Sequence, residues 1–143
     1  MNTINLQMID YSVSSLWWKS LVQHFIQIGD IFEIRCWKEE TVEIQQASMY
    51  GKLAEDKNEI SIKGFVSAEL LMELLSEEPN DKTIYNKMTK YFTINIEKKQ
   101  YSLCSAHYGT EIYIIGASDD DISFFQEIME SYSEYFSIHI TRN

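Results

Sequence analysis

Apolar and polar residues alternate in several short runs along this chain, and alternation of that kind marks a strand with one buried face. Such runs lie at roughly 31–37, 42–53, 59–65, 91–97, 101–108 and 111–116. Ile4, Leu6 and Met8 alternate as well, as do Phe136, Ile138 and Ile140, which predicts two more short strands. Elsewhere the period changes. Leu16, Trp17, Leu21, Val22, Phe25 and Ile28 mostly follow the three–four spacing of one helical face, so a helix is expected over 11–28. Ser12 or Ser14 would cap it, and Gly29 follows its end. Further helices are predicted over 68–77 and 120–132, with Ser67 and Ser118 as N-caps and with Gly64 and Gly116 ending the strands before them. Pro79-Asn80 breaks the chain, and Asp81 is placed to cap a short helix reaching about Met88.

The runs also match one another in order. Phe32-Glu33-Ile34 aligns with Phe92-Thr93-Ile94, and Tyr50-Gly51 with Tyr108-Gly109. The segment 59–64 aligns with 111–116, and 70–75 with 124–129. A longer turn, Ala54 to Asn58, accounts for the change of offset, since loops absorb insertions cheaply. The expectation is an α+β fold of one domain over 1–143, made of two pseudo-symmetric βββα repeats, about 31–77 and 91–132. They would form a mostly antiparallel, curved or barrel-like sheet, with helices on one side.

Composition supports a packed core. Of the 143 residues 45% are hydrophobic and 13% aromatic, far from a disordered composition. Cys36 and Cys104 are too few for a disulfide framework, and neither lies in a CxxC pair. No basic start with an apolar run opens the sequence, and no apolar run is long enough to span a bilayer, so a cytoplasmic protein is expected. The net charge of −10, from 22 acidic and 12 basic residues, opposes nucleic acid and anionic membranes as partners. It serves solubility, or it steers in a basic protein.

Candidate chemistry is sparse. His24, His107, His139, Cys36 and Cys104 are the possible soft metal ligands. Cys104 and His107, three apart on a strand, would point to opposite faces, and a zinc site needs further ligands at recognisable spacing. No nucleophile elbow, GxGxxG or Walker sequence occurs. Cys36, beside Trp37 in an aromatic strand, reads as a buried inert thiol. Asp119-Asp120-Asp121 suits a helix N-terminus, where the dipole favours acids. The same run also suits a protein contact or a divalent cation. No catalytic residue, cofactor or metal is assigned.

The nine Tyr and three Trp are the other informative feature. Trp17 and Trp18 are adjacent on a helix and would not both point inward equally; Tyr50 and Tyr108 flank the matched glycines. Exposed rings ringed by acids make a site for a basic protein. The expected partner-binding residues are Asp119, Asp120, Asp121, Glu55, Asp56, Tyr50 and Tyr108. The Trp-rich segment Leu16-Trp17-Trp18-Lys19-Ser20-Leu21, on an acidic α+β body of this length, resembles the immunity proteins of bacterial contact-dependent and other polymorphic toxin systems. That resemblance implies a protein-binding inhibitor that blocks a cognate toxin domain by charge complementarity and occlusion. The alternative is a homo-oligomeric regulatory or scaffold module. A nucleic-acid binder and an enzyme rank below both, because of the charge and the missing signatures.

Overall fold

The protein, described by a computed structural model over residues 1–79 and 87–143, is α+β. Its elements in chain order are β1 (Thr3–Met8), α1 (Leu16–Phe25), β2 (Ile31–Trp37), α2 (Thr41–Ala47), β3 (Lys52–Asp56), β4 (Glu59–Phe65), α3 (Ala68–Ser76), β5 (Thr93–Glu97), β6 (Ser102–Ala106), β7 (Glu111–Ile115), α4 (Asp119–Met129) and β8 (Phe136–Thr141). A 3-10 helix, Glu130–Tyr135, links α4 to β8. The strands form one sheet in the order β3-β4-β2-β5-β6-β7-β1-β8, and every pairing is antiparallel. Among the described residues β3 and β8 each have one neighbour, so the sheet is open and is not the barrel that was an alternative expectation.

Alternation decides which side chains form the core. Ile4 and Leu6, Phe32, Ile34 and Cys36, Ile60 and Ile62, Ile94 and Ile96, Leu103, and Ile112 and Ile114 are all buried, and the register puts them on one face. The helices cover that face. Leu70 and Leu74 of α3 and Ile122, Phe125 and Met129 of α4 join the same buried cluster. α1 lies between α3 and α4 and touches both. That position corrects the expectation for its tryptophans. A helix flanked by neighbours on two sides and a sheet below buries a wide arc, so Trp17 and Trp18 are both fully buried. Leu16, which the spacing placed inward, is 61% exposed instead. The helix is also shorter than 11–28, and neither Ser12 nor Ser14 is its N-cap, which is Ser15.

Ser67 and Ser118 do cap their helices, accepting hydrogen bonds from the N–H groups of Leu70 and Asp121. Ser118 and Asp121 complete a reciprocal capping box, with the Asp121 carboxylate accepting from the Ser118 N–H at 3.1 Å. Removing the Ser118 hydroxyl (Ser118→Ala) is expected to cost about 1 kcal/mol. A urea melt reads this as a lower midpoint at unchanged slope.

The run 42–53 is not a strand. Residues 41–47 form α2 and only then does the chain enter β3. β4, and not 41–47, takes the outer side of β2, so the segment that follows β2 is not its hairpin partner. A helix bonds its own N–H and C=O groups, and Glu43, Gln45, Gln46 and Ala47 all suit it.

The two expected βββα units do not share a strand order either. In the first unit β2 pairs with β4, its third strand, across the sequence; in the second, β5 pairs with β6, its next strand. Tyr50-Gly51 precedes β3, whereas Tyr108-Gly109 lies in the turn between β6 and β7. The tight turn is Lys57-Asn58, in the hairpin expected to have the longer one. Equal hydrophobic patterns thus serve different pairings, because alternation encodes a buried face and not a neighbour. Gly64 likewise lies inside β4. A Cβ there would come within 2.8 Å of the Tyr50 carbonyl oxygen, so glycine is required by close approach and not by a strand end. The helix expected from Asp81 lies outside the described residues.

Candidate functional site

The second face of the sheet has no described element packed on it, and it is where the chain concentrates polar groups. Alternation puts Glu33 and Arg35 of β2, Glu59 and Ser61 of β4, Asp56 of β3 and Asn95 of β5 on this face. One row crosses all eight strands: Lys52, Lys63, Glu33, Asn95, Cys104, Tyr113, Asn5 and His139.

Arg35 is the hub. Its guanidinium donates through Nε to Glu59 at 3.0 Å, through Nη1 to Glu33 at 3.0 Å and through Nη2 to Asp56 at 2.7 Å. Glu33 also accepts from the Ser61 hydroxyl at 2.6 Å and from the Asn95 amide at 3.1 Å. Burial pushes the Glu33 pKa up, but the bonds from Ser61, Asn95 and Arg35 outweigh it and hold the carboxyl below its usual range. The hydrogen bond and charge of Arg35 lower Asp56 too. Arg35 in turn holds its proton more firmly, chiefly through Asp56. The result is a rigid, charged cluster in which three carboxylates surround one cation. Over the whole face Glu33, Asp56, Glu59, Glu97 and Glu111 outnumber Arg35, Lys52 and Lys63.

Large apolar side chains stand at the margins of the same face. Phe65 is 68% exposed and pairs in register with Ile31, itself 52% exposed. Ile115 is 50% exposed. At the far end of β2, Trp37 is partly exposed, with its ring 4.8 Å from that of Phe92. Isolated exposed apolar residues are ordinary. Their recurrence on one otherwise polar face is what matters here.

The residues expected to bind a partner do not assemble. Asp119, Asp120 and Asp121 form the first turn of α4 on the helical side. Asp121 closes the capping box and meets His24 Nε2 at 3.0 Å; burial raises its pKa, but the bonds from His24 and Ser118 leave it lowered. Asp119 lies 3.3 Å from the Asn2 amide nitrogen. Glu55 and Asp56, adjacent in sequence, point to opposite faces of β3, and Glu55 lies 3.7 Å from Lys38. Tyr50 donates to Glu73 and Tyr108 to Glu40, so both hydroxyls are tied down on the helical side or the end of the sheet. Of the seven, Asp56 alone belongs to the uncovered face. Glu33, Arg35, Glu59, Ser61 and Asn95, which the structure gathers beside it, were not among the expected residues. Their signal was present as the polar half of each alternation, but only the pairing of distant strands brings them together.

Burial pushes the Cys36 thiol up to about 12. Cys104 is raised as well, first by burial and then by Glu111 and Glu33, the reverse of what a reactive thiolate needs. His107 Nδ1 does lie 2.7 Å from Glu111, whose other oxygen accepts from Gln7, but the imidazole is 60% exposed at the turn after β6. Among the described residues no three His, Cys, Asp or Glu side chains gather as a metal site, and no helix is long and apolar enough to cross a membrane. No protein-family model matches this chain, and no curated protein or solved structure matches it at a significant level.

Proposed function

We propose that this protein is an inhibitory binding protein of the toxin-immunity type, which occludes a basic partner domain with the uncovered face of its sheet. The observation that carries the reading is the Arg35 cluster. Glu33, Asp56 and Glu59 are held by hydrogen bonds to Arg35 on one face of the sheet, with Phe65, Ile31 and Trp37 at its margins. Preorganised carboxylates meet a partner's Lys and Arg without paying again to order their own side chains. Exposed aromatic rings supply the anchor contacts that dominate binding energy. The acidic net charge speeds the encounter. A toxin whose substrate site is lined with cations would then be blocked by charge complementarity and by the bulk of the sheet.

The test is co-expression with the product of the neighbouring gene, which this reading expects to be a toxin. Wild-type protein is expected to restore growth and to bind the purified domain, with association slowing as salt rises. Phe65→Ala and Trp37→Ala, on the margins of the face, are each expected to weaken binding about tenfold or more. Ser123→Ala, an exposed position on α4, should leave binding unchanged. Unaltered affinity in both aromatic variants would remove the face from the reading. A neighbouring gene product that neither binds nor is neutralised would remove the inhibitor.

A further inference from the structure

The two edges of the sheet are built differently. β3 carries Lys52, Glu55 and Asp56, and every one of its residues is exposed. Charges along an edge discourage another strand from adding to it. β8 reads Phe136-Ser137-Ile138-His139-Ile140-Thr141, with no Lys, Asp, Glu or Pro. Its free hydrogen-bonding groups can be located. In an antiparallel ladder alternate residues bond to opposite neighbours. The Met8 N–H donates to the Thr110 oxygen on the β7 side, and the Ile9 N–H donates to the Tyr135 oxygen on the β8 side. Carried through the register of β1 with β8, this sends the N–H and C=O of Ile138 and Ile140 off the open edge of the sheet. Beside them, a groove of about 350 Å³ runs between β8 and α4, lined by apolar Ile138, Ile140, Phe125 and Met129 and by polar Gln126, Glu130 and Ser133.

We propose that β8 pairs antiparallel with β8 of a second copy of this chain, joining two eight-stranded sheets into one across a twofold axis. Charge favours that occupant. The strand is preceded by acidic Glu130 and Glu134 and followed by basic Arg142. Laid antiparallel on itself, such a segment brings each Arg142 towards the partner copy's acidic end, so one patch complements itself as a twofold interface requires. The net charge of −10 opposes dimerisation, but the strand itself contains no acid, and at physiological ionic strength charges further away than about 8 Å are largely screened. The uncovered face remains open in the dimer, because the new pairing lies in the plane of the sheet.

Sedimentation equilibrium of the full chain over a range of micromolar concentrations tests this. The wild type is expected to move from monomer to dimer mass. Ser137→Lys with His139→Lys sets like charges across the twofold from exposed or half-exposed side chains, and is expected to raise the dissociation constant about tenfold or more. Ala54→Lys, on the opposite edge, should leave it unchanged. Hydrogen exchange on the wild type gives a reading independent of the variants: the Ile138 and Ile140 amides should be protected in the dimer and lose protection on dilution. A monomer at every concentration, a dimer that ignores the double substitution, or Ile138 and Ile140 amides that exchange as fast as the β3 edge would each overturn the proposal.

Discussion

Trp18→Ala is expected to lower the unfolding free energy by about 3–5 kcal/mol, a large share of the ~5–15 kcal/mol that holds a domain together. Trp18 is fully buried under the sheet, and its indole N–H donates to the hydroxyl of Ser105 at 3.1 Å. A Cβ added at Gly109 would come within 2.8 Å of the same indole nitrogen, so the ring fills its space to the backbone of the β6–β7 turn. The substitution therefore opens a cavity and strips the buried Ser105 hydroxyl of its donor. Trp17 offers the contrast. It is equally buried and packs edge-on against Phe136 at 4.6 Å, yet its indole N–H has no hydrogen-bond partner among the described residues. Trp17→Phe removes an unsatisfied donor along with some volume, while Trp18→Phe removes a satisfied one. The first is expected to cost less than the second by about 1–3 kcal/mol. Urea melts of the three variants at a common slope measure all of this, and equal losses for the two Phe variants would show that the buried hydrogen bond contributes nothing.

Replacing Arg35 with Met keeps most of the side chain's length and removes its charge. The expected loss is about 1–3 kcal/mol at neutral pH, below the range for a fully buried ion pair because the cluster is partly exposed. Its pH dependence is the more telling result. Glu33 is held below its ordinary value of 4.5 in the wild type, so its contribution to stability is complete above that value and fades as pH falls through the lowered folded pKa. Without Arg35 burial remains, and two of the opposing hydrogen-bond donors, Ser61 and Asn95, act alone. The Glu33 pKa then rises, the variant's deficit is largest above 4.5, and it shrinks as acid protonates the carboxyl. Melts of both proteins at neutral pH and in mild acid check the sign. A deficit that stays constant across that range would mean that Arg35 acts by packing and not by charge. The same variant separates stability from binding, since it frees three carboxylates on the surface proposed to meet a basic partner.

Much of the secondary structure was readable locally. The strands of the second half, the terminal alternations Ile4–Met8 and Phe136–Ile140, and the caps Ser67 and Ser118 stand where the pattern put them, because a buried face and an orphan helix N–H are properties of a few consecutive residues. Residues 41–47 were misread because their first positions alternate like a strand, while it is β4 and not this segment that pairs with the outer side of β2.

By itself the sequence determined the class of the fold, the side of each strand that would be buried, and an acidic surface. All three follow from side-chain chemistry and from periods of two and 3.6 residues. Tertiary structure alone decided the order β3-β4-β2-β5-β6-β7-β1-β8, the burial of both tryptophans of α1 and the meeting of Arg35 with Glu33, Asp56 and Glu59. It also split Glu55 from Asp56, which share a peptide bond but face opposite sides of the sheet. Those outcomes depend on which strands lie side by side, and an alternating pattern, identical for every possible neighbour, carries no record of that choice.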